Sequence, residues 1–286
     1  MYGEPGELKP IIFTDLDGTL LDKRYSFSDA LPALNKIKKR GIPLIICTSK
    51  TRAEIEFYRK KLSMNEPFIS ENGGGIFIPK GYFHNLNFDR RINHYCVIEL
   101  GENYNKIRRA LKEIQKEIQN SVRCKIIGFG DMDVKEIMKI CGLDKRSAEL
   151  SKMREYDEPF IICRNKNKDD WNDKNEERIL KMIEERGLNY TKGSLFYHIM
   201  KGNDKGKAVR RLVKIFRDNG FHGKTIALGD GYNDIPMLEN VDIPVLIKRL
   251  DGSFIDFHAE NLIKSNAIGP KGWNEVMLKI IEGIEG

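Results

Sequence analysis

The chain has 286 residues, 40% hydrophobic and 32% charged, which is enough to bury a substantial core in one large or two modest domains. Its formal charge is +7, but the lysines and arginines are spread among 42 acids with no long basic tract, so a solvated mixed surface explains the charge and no nucleic-acid partner is expected. No apolar run approaches the roughly 20 residues that span a bilayer, which argues against a membrane segment.

The first predicted element is a short buried strand, Ile11-Ile12-Phe13, that runs into Thr14-Asp15-Leu16-Asp17-Gly18-Thr19. Residues two apart on a strand point the same way, so Asp15 and Asp17 can converge on one ligand at the strand's C-terminal edge, where open α/β sheets keep their chemistry. Two ionised carboxylates so close repel each other, and a hard cation such as Mg²⁺ relieves this. With its charge partly neutralised, Asp15 can attack phosphorus as a nucleophile, while Asp17 can protonate the leaving oxygen and later activate water. Alone, Asp-x-Asp fits an Asx-type turn equally well; the hydrophobic lead and the Gly-Thr that follows favour the reactive strand end.

A helix capped by Ser28, with Leu31, Leu34 and Ile37 at helical spacing and Gly41 as its stop, comes next. A second buried strand, Ile42 to Cys47, leads to Thr48-Ser49-Lys50, and Thr51 caps a helix over Arg52 to Leu62. Hydroxyls and an ammonium between a strand end and a helix start suit an anion, although Ser or Thr there is also an ordinary cap. The strand near Phe68 then breaks into Glu71-Asn72-Gly73-Gly74-Gly75, where three glycines permit close backbone approach or simply a hairpin turn. Alternating β structure follows to about Pro79.

From Lys80 to Lys192 the texture changes towards more charge and weaker strands. Strands are expected near Tyr95 to Leu100, Lys125 to Phe129 and Phe160 to Cys163, with helices near Tyr104 to Gln119, Val134 to Cys141 and Asp173 to Arg186. None of these strands ends in paired acids, so residues 81–192 read as a second α/β domain inserted into a core formed by 1–80 and 193–286. Its runs Gly128-Phe129-Gly130-Asp131-Met132 and Arg154-Glu155-Tyr156-Asp157-Glu158-Pro159-Phe160 look, by themselves, like surface loops.

The first texture returns with a strand at Leu195 to Met200, expected in the core, and a helix over Val209 to Asp218 with Asp204 as N-cap. Lys205 then falls in the first helical turn, where the helix dipole disfavours a cation, so binding an anion explains it better than local stability does. The strand Thr225 to Leu228 ends in Gly229-Asp230-Gly231-Tyr232-Asn233-Asp234, and Asp230 and Asp234 can complete an oxygen shell begun by Asp15 and Asp17. Asp234 competes with itself here as a helix-start acid. A strand at Ile243 to Ile247 and a helix after Gly269-Pro270-Lys271-Gly272-Trp273 close the chain. The five cysteines, Cys47, Cys96, Cys124, Cys141 and Cys163, include no CxxC pair and read as buried hydrophobes of a reducing, cytoplasmic compartment.

A parallel sheet would gather these strand ends, bringing together a nucleophile, an acid/base, a hydroxyl donor, a lysine and a metal shell. Those are the parts of phosphoryl transfer, whose catalysis is chiefly positioning and charge neutralisation. Through Asp15-Leu16-Asp17-Gly18-Thr19, Thr48, Lys205-Gly206-Lys207-Ala208 and Gly229-Asp230-Gly231-Tyr232-Asn233-Asp234, the chain resembles the haloacid dehalogenase superfamily, in its sugar-phosphatase branch. That resemblance implies a Rossmann-like α/β core with an inserted α/β cap, and a cofactor Mg²⁺ held by Asp15, the Asp17 carbonyl, Asp230 and Asp234. It also implies that Asp15 forms an aspartyl-phosphate, that Asp17 is the acid/base, and that Thr48 and Lys205 hold the phosphoryl group.

Further blocks are similar to the mannosyl-3-phosphoglycerate phosphatases within that superfamily: Thr48 to Arg52, Glu71 to Gly74, Gly128 to Met132, Arg154 to Phe160 and Gly269 to Glu275. By that likeness Ser49, Lys50, Asn72, Asp131, Met132, Glu158 and Asn233 become substrate-binding candidates, and the partner is a small anionic sugar phosphate. The family usually has an arginine directly before Phe196-Tyr197-His198, where this chain has Leu195. A glucosyl analogue, a broader sugar-phosphate phosphatase, a phosphohexomutase and a non-catalytic sugar-phosphate sensor remain alternative readings of the same residues.

Overall fold

The computed structural model describes residues 9–121, 125–163, 173–193 and 195–283. In chain order the first half carries β1 (Ile11–Thr14), α1 (Leu31–Lys39), β2 (Leu44–Cys47), α2 (Arg52–Leu62), β3 (Phe68–Ser70), β4 (Gly75–Pro79), β5 (Arg90–Ile92) and β6 (Tyr95–Glu99). Then come α3 (Tyr104–Ser121), β7 (Lys125–Gly128), α4 (Val134–Cys141), α5 (Lys145–Ser151), β8 (Asp157–Cys163), α6 (Asp173–Glu185), β9 (Asn189–Lys192) and β10 (Tyr197–Met200). The last part holds α7 (Lys205–Asp218), β11 (Thr225–Gly229), α8 (Ile235–Leu238), β12 (Ile243–Lys248), β13 (Ile263–Ile268) and α9 (Gly269–Gly283).

Nine strands form one sheet in the order β13-β12-β11-β1-β2-β3-β4-β6-β5, parallel from β13 to β3 and antiparallel beyond. Its central strands are apolar on both faces, as a sheet covered on both sides requires. Ile12, Ile46 and Leu228 pack with Leu34, Ile37, Tyr58, Trp273 and Met277 on one face, while Ile11, Phe13, Cys47 and Ala227 meet Val209, Leu212, Phe216 and Leu238 on the other. A second sheet, β7-β8-β10-β9, is wholly antiparallel and rests on α3 and α6 through Ile107, Leu111, Ile114, Ile179 and Ile183.

Sheet membership departs from the expected boundaries. β5 and β6 fall inside 81–192 but extend the large sheet, β6 pairing along the whole of β4. β10, expected in the core, pairs instead with β8 and β9 in the small sheet. The physical reason is that a short run buried on both faces carries no label for its partner: either sheet can cover it. The strand β13 and the short β5 and β9 were not expected from the sequence.

Locally the expectations are close. α2 has Thr51 as its N-cap with a full capping box from Glu54, and α7 has Asp204, whose side chain accepts from Lys207 N at 2.9 Å. Ser28 instead opens a three-residue 3-10 turn, and α1 starts at Leu31 with Pro32 in its first turn and no side-chain cap, so Leu31 is 40% exposed and not part of the buried face. Cys47, Cys96, Cys141 and Cys163 are free thiols, while Cys124 lies outside the described residues. Among the described residues no helix is long and apolar enough to cross a membrane.

Candidate active site

β1 ends at the C-terminal edge of the large sheet, and the next residue, Asp15, continues the pairing through its N–H to Leu228 O at 3.0 Å. Trp273 of α9 fixes the end of the strand by donating from Nε1 to Thr14 Oγ1 at 3.0 Å. Gly18 then turns the chain with φ +79°, and a Cβ there would meet Asp230 Oδ2 at 2.6 Å, so the turn needs glycine for both conformation and space. Thr19 Oγ1 donates to Asp230 Oδ1 at 2.8 Å, tying the loop after β1 to the loop after β11.

Lys205 lies at the centre, 2% exposed, with Nζ 2.9 Å from Asp15 Oδ1 and 2.6 Å from Asp234 Oδ1. Burial opposes its charge, but the carboxylates of Asp15 and Asp234 overcome that and hold it firmly protonated. The strand before it, β10, belongs to the small antiparallel sheet and not, as expected, to the core. The first turn of α7 carries Lys205 in, which explains a cation at a helix start that the dipole disfavours.

Asp15, Asp230 and Asp234 each offer an oxygen, and these oxygens lie within 4.8 Å of one another. Burial raises Asp230 well above its ordinary value, and the charges of Asp234 and Asp15 add to the rise; burial raises Asp234 too, against the pull of Lys205. Asp234 also fills its helix-start role, its Oδ2 accepting from the N–H groups of Asp230 and Gly231 at 3.0 Å each. One ammonium among three clustered carboxylates leaves negative charge uncompensated, and the donors are all oxygen, so the residues fit a hard divalent cation such as Mg²⁺.

Asp17 stands apart from that cluster. Its carboxylate is 43% open and pairs with Lys50 Nζ at 2.8 Å, and Lys50 also reaches Glu54 at 3.5 Å. Loss of solvation raises the Asp17 carboxyl, against the attraction of Lys50. Thr48, at the end of β2, is fully buried and its Oγ1 has no hydrogen-bond partner, an orphan that a phosphoryl oxygen would satisfy.

Asp15, Asp17 and Asp230 open into a cleft of about 580 Å³ between the two sheets, lined also by Ser49, Lys50 and Asn233 among others. A wider depression of about 940 Å³ near Arg217 and Lys224 lies away from this chemistry, and its Asp242 is committed to Thr225 N and Oγ1 at 2.7 and 2.8 Å. α4, α5 and the loop before β8 close on the cleft through Tyr25 Oη to Cys141 O at 2.8 Å, Thr51 Oγ1 to Leu150 O at 3.0 Å and Arg52 Nε to Glu155 Oε1 at 2.7 Å.

The other expected substrate residues divide. Asn233 faces the cleft and donates to Asn72 Oδ1 at 3.3 Å, while buried Asn72 donates in turn to Asp157 Oδ2 at 3.1 Å. Asp131 is held by Arg108, Lys112, Gln115 and Gly128 N at the end of β7. Met132 is buried with Phe129, Ile137 and Phe196. Glu158 is fully buried, accepting from Tyr104 Oη and Gly130 N at 2.8 Å each. None of these three lies among the residues lining the cleft.

Arg154 and His198 are among the cleft residues absent from the candidates drawn from sequence. Arg154 is nearly buried, pairs with Asp157 and donates to Ser49 O at 3.0 Å. His198 packs its Nδ1 3.0 Å from Asp157 Oδ2, and burial with the nearby Arg154 charge lowers it to about 3, so the ring is neutral. The signal for Arg154 was its charged run before β8; for His198 only the antiparallel pairing of β10 with β8 brings it to the cleft.

A family model of haloacid dehalogenase-like hydrolases matches residues 12–268. A glucosyl-3-phosphoglycerate/mannosyl-3-phosphoglycerate phosphatase of Methanococcoides burtonii is 48% identical over 277 residues, covering 96% of this chain and 98% of that one. A mannosyl-3-phosphoglycerate phosphatase of Pyrococcus horikoshii is 37% identical over 240 residues, covering 84% and 91%. A solved Thermoplasma acidophilum structure superposes with a TM-score of 0.63 at 16% identity, over 96% of this chain and 99% of its own, and so shares the fold. The acids that follow β1, the lysine at the start of α7 and the Asp230–Asp234 turn all fall inside the matched span, and the chain belongs to the haloacid dehalogenase-like hydrolases.

Proposed function

We propose that the protein is a phosphatase that hydrolyses mannosyl-3-phosphoglycerate to mannosylglycerate and phosphate through an aspartyl-phosphate on Asp15. The observation that carries the chemistry is Lys205 Nζ buried between Asp15 and Asp234 at 2.9 and 2.6 Å, beside the orphaned hydroxyl of Thr48. The glycerate ester is the substrate class named for the relatives at 48% and 37% identity, and the glucosyl ester is the alternative that the first of them also names.

An Asp15 carboxylate oxygen attacks the phosphorus and forms an acyl–phosphate bond while the bond to the glycerate 3-oxygen breaks. Asp17 gives its proton to that leaving oxygen; its raised carboxyl and partly open face suit it to the task. The resulting Asp17 carboxylate then takes a proton from water, whose oxygen attacks phosphorus and frees Asp15 and inorganic phosphate. Lys205 and Thr48 hold the phosphoryl oxygens throughout, and Lys50 orients Asp17. Asp15, Asp230, Asp234 and the Asp17 carbonyl are the groups to hold Mg²⁺, which supplies charge neutralisation when bound. The residues of the second sheet act as a cap that excludes unwanted water and selects the substrate.

The test is phosphate release with Mg²⁺ from mannosyl-3-phosphoglycerate, glucosyl-3-phosphoglycerate, mannose 6-phosphate and 3-phosphoglycerate, with Asp15→Asn alongside. Preference for the mannosyl ester, lost in the variant, is the expected result. Preference for another ester moves the specificity and keeps the mechanism; no release from any of the four overturns the reading.

A further inference from the structure

We propose that Arg249 receives the substrate's carboxylate and thereby selects phosphoglycerate esters over sugar phosphates that lack one. The inference rests on the functional reading above and names a specificity residue of that same site. A phosphoglycerate ester has two anionic ends, and the phosphoryl end is accounted for by Lys205 and Thr48. The other end needs a cation not already spent on a protein acid, because a carboxylate taken out of water unpaired is costly.

The cleft's cations can be sorted on this criterion. Lys50 is bound to Asp17 at 2.8 Å and to Glu54 at 3.5 Å. Arg154 is bound to Asp157, with Glu71 at 3.6 Å. Lys192 lies 3.4 Å from Glu176 and over the Tyr197 ring at 4.7 Å. Of the cations lining the cleft among the described residues, Lys23 and Arg249 are left with no acid or ring partner.

Arg249 is the better receptor of the two. It follows directly on β12, whose neighbour β11 leads into Asp230, so it stands at the same sheet edge as the acid cluster. A tight turn fixes its backbone: its N–H donates to Ser253 O and its carbonyl accepts from Gly252 N, both at 2.9 Å. The acid of that turn, Asp251, is engaged by Ser253 N and Oγ at 2.9 and 2.6 Å. Arg249 is half-buried whereas Lys23 is exposed on the loop after Asp22, so less water must leave Arg249 when it pairs. A guanidinium also presents a planar fork that matches a carboxylate, where an ammonium is a hydrated point charge. Leu250, next in the chain, and Leu195, exposed at 44% and 57%, also line the cleft and offer no competing polar group.

The experiment compares 3-phosphoglycerate with glycerol 3-phosphate, which differ in carboxylate against hydroxymethyl, and adds mannosyl-3-phosphoglycerate, for the wild type, Arg249→Gln, Arg249→Lys and Lys23→Gln. In Arg249→Gln the ratio of kcat/KM on 3-phosphoglycerate to that on glycerol 3-phosphate falls about 10- to 100-fold, the range expected for a charge-assisted hydrogen-bonded pair. The loss lies mainly in KM, and Arg249→Lys recovers part of it. Thermal unfolding shows whether each variant is folded, and the ratio is internal to each preparation. An unchanged ratio in Arg249→Gln, or the selective loss appearing in Lys23→Gln instead, overturns the assignment while leaving the phosphatase reading intact. A wild type that releases phosphate from none of the three overturns the functional reading and this inference with it.

Discussion

Replacing Glu71 with glutamine should remove a pH dependence of stability centred on the junction between the two sheets. Glu71 is fully buried in the turn after β3, with φ +46°, and its carboxylate accepts from the peptide N–H groups of Glu155, Tyr156 and Asp157 at 2.8 to 3.1 Å. Burial raises it from 4.5 to about 7, against the Arg154 charge and the Tyr156 and Glu155 donors. A carboxyl raised in the fold keeps its proton longer there than in the unfolded chain. Its contribution is therefore complete below pH about 4.5 and is lost as pH rises to about 7, an amount of about 3 kcal/mol.

Urea unfolding at intervals from pH 4.5 to 8 measures this as wild type minus Glu71→Gln, which cancels the other titrating groups. The difference should fall by about 3 kcal/mol across that range and then level off. Glu71→Ala strands three peptide donors and should cost at least about 3 kcal/mol at pH 4.5. A difference between wild type and Glu71→Gln that is constant with pH would refute the reasoning, and an alanine variant as stable as wild type would refute the hydrogen-bonding account.

Lys205→Met leaves Asp15, Asp230 and Asp234 without their buried counter-charge, and without divalent metal it should lose about 3–5 kcal/mol of stability. The same variant should lower kcat by about 10²- to 10³-fold, as expected for a removed oxyanion donor, and phosphate release with equilibrium unfolding checks both. Because Asp230 and Asp234 are raised by burial and by neighbouring acids, protein stripped with EDTA should lose stability as pH rises above the ordinary carboxylate range. Mg²⁺ should oppose that loss. Thermal unfolding at pH 5 and pH 8 reads it, with a Mg²⁺-dependent rise in Tm that is larger at pH 8 and absent in Asp230→Asn; equal Tm values with EDTA and Mg²⁺ would count against the metal site.

How much of the site was legible depended on whether a residue's task is local. Asp15 and Asp17 follow a buried apolar strand, and Asp230 lies between glycines at the end of another, so period and turn chemistry mark them without any knowledge of the fold. Lys205 was legible because it breaks a local rule, a cation in a first helical turn, and the structure supplies the compensation in Asp15 and Asp234. Asp131, in contrast, has the residue type and loop setting of a ligand, yet Arg108 and Lys112, one turn apart on α3, hold it in an ion cluster at the end of β7. Which cation meets an exposed-looking acid is decided by helix docking, and no spacing within the loop records it.

The sequence by itself determined the helix starts at Thr51 and Asp204 and the acid-bearing strand ends, because each rests on contacts within a few residues; Gly18 was legible through its turn, although the space it leaves is needed by the distant Asp230. The tertiary structure alone decided that β5 and β6 extend the large sheet, that β10 joins the small one and brings His198 to the cleft, and that Glu71 is buried against three distant peptide groups. Strand partnership and burial of charge are settled by pairing across tens of residues, where many registers share one alternating pattern and only the packed whole selects among them.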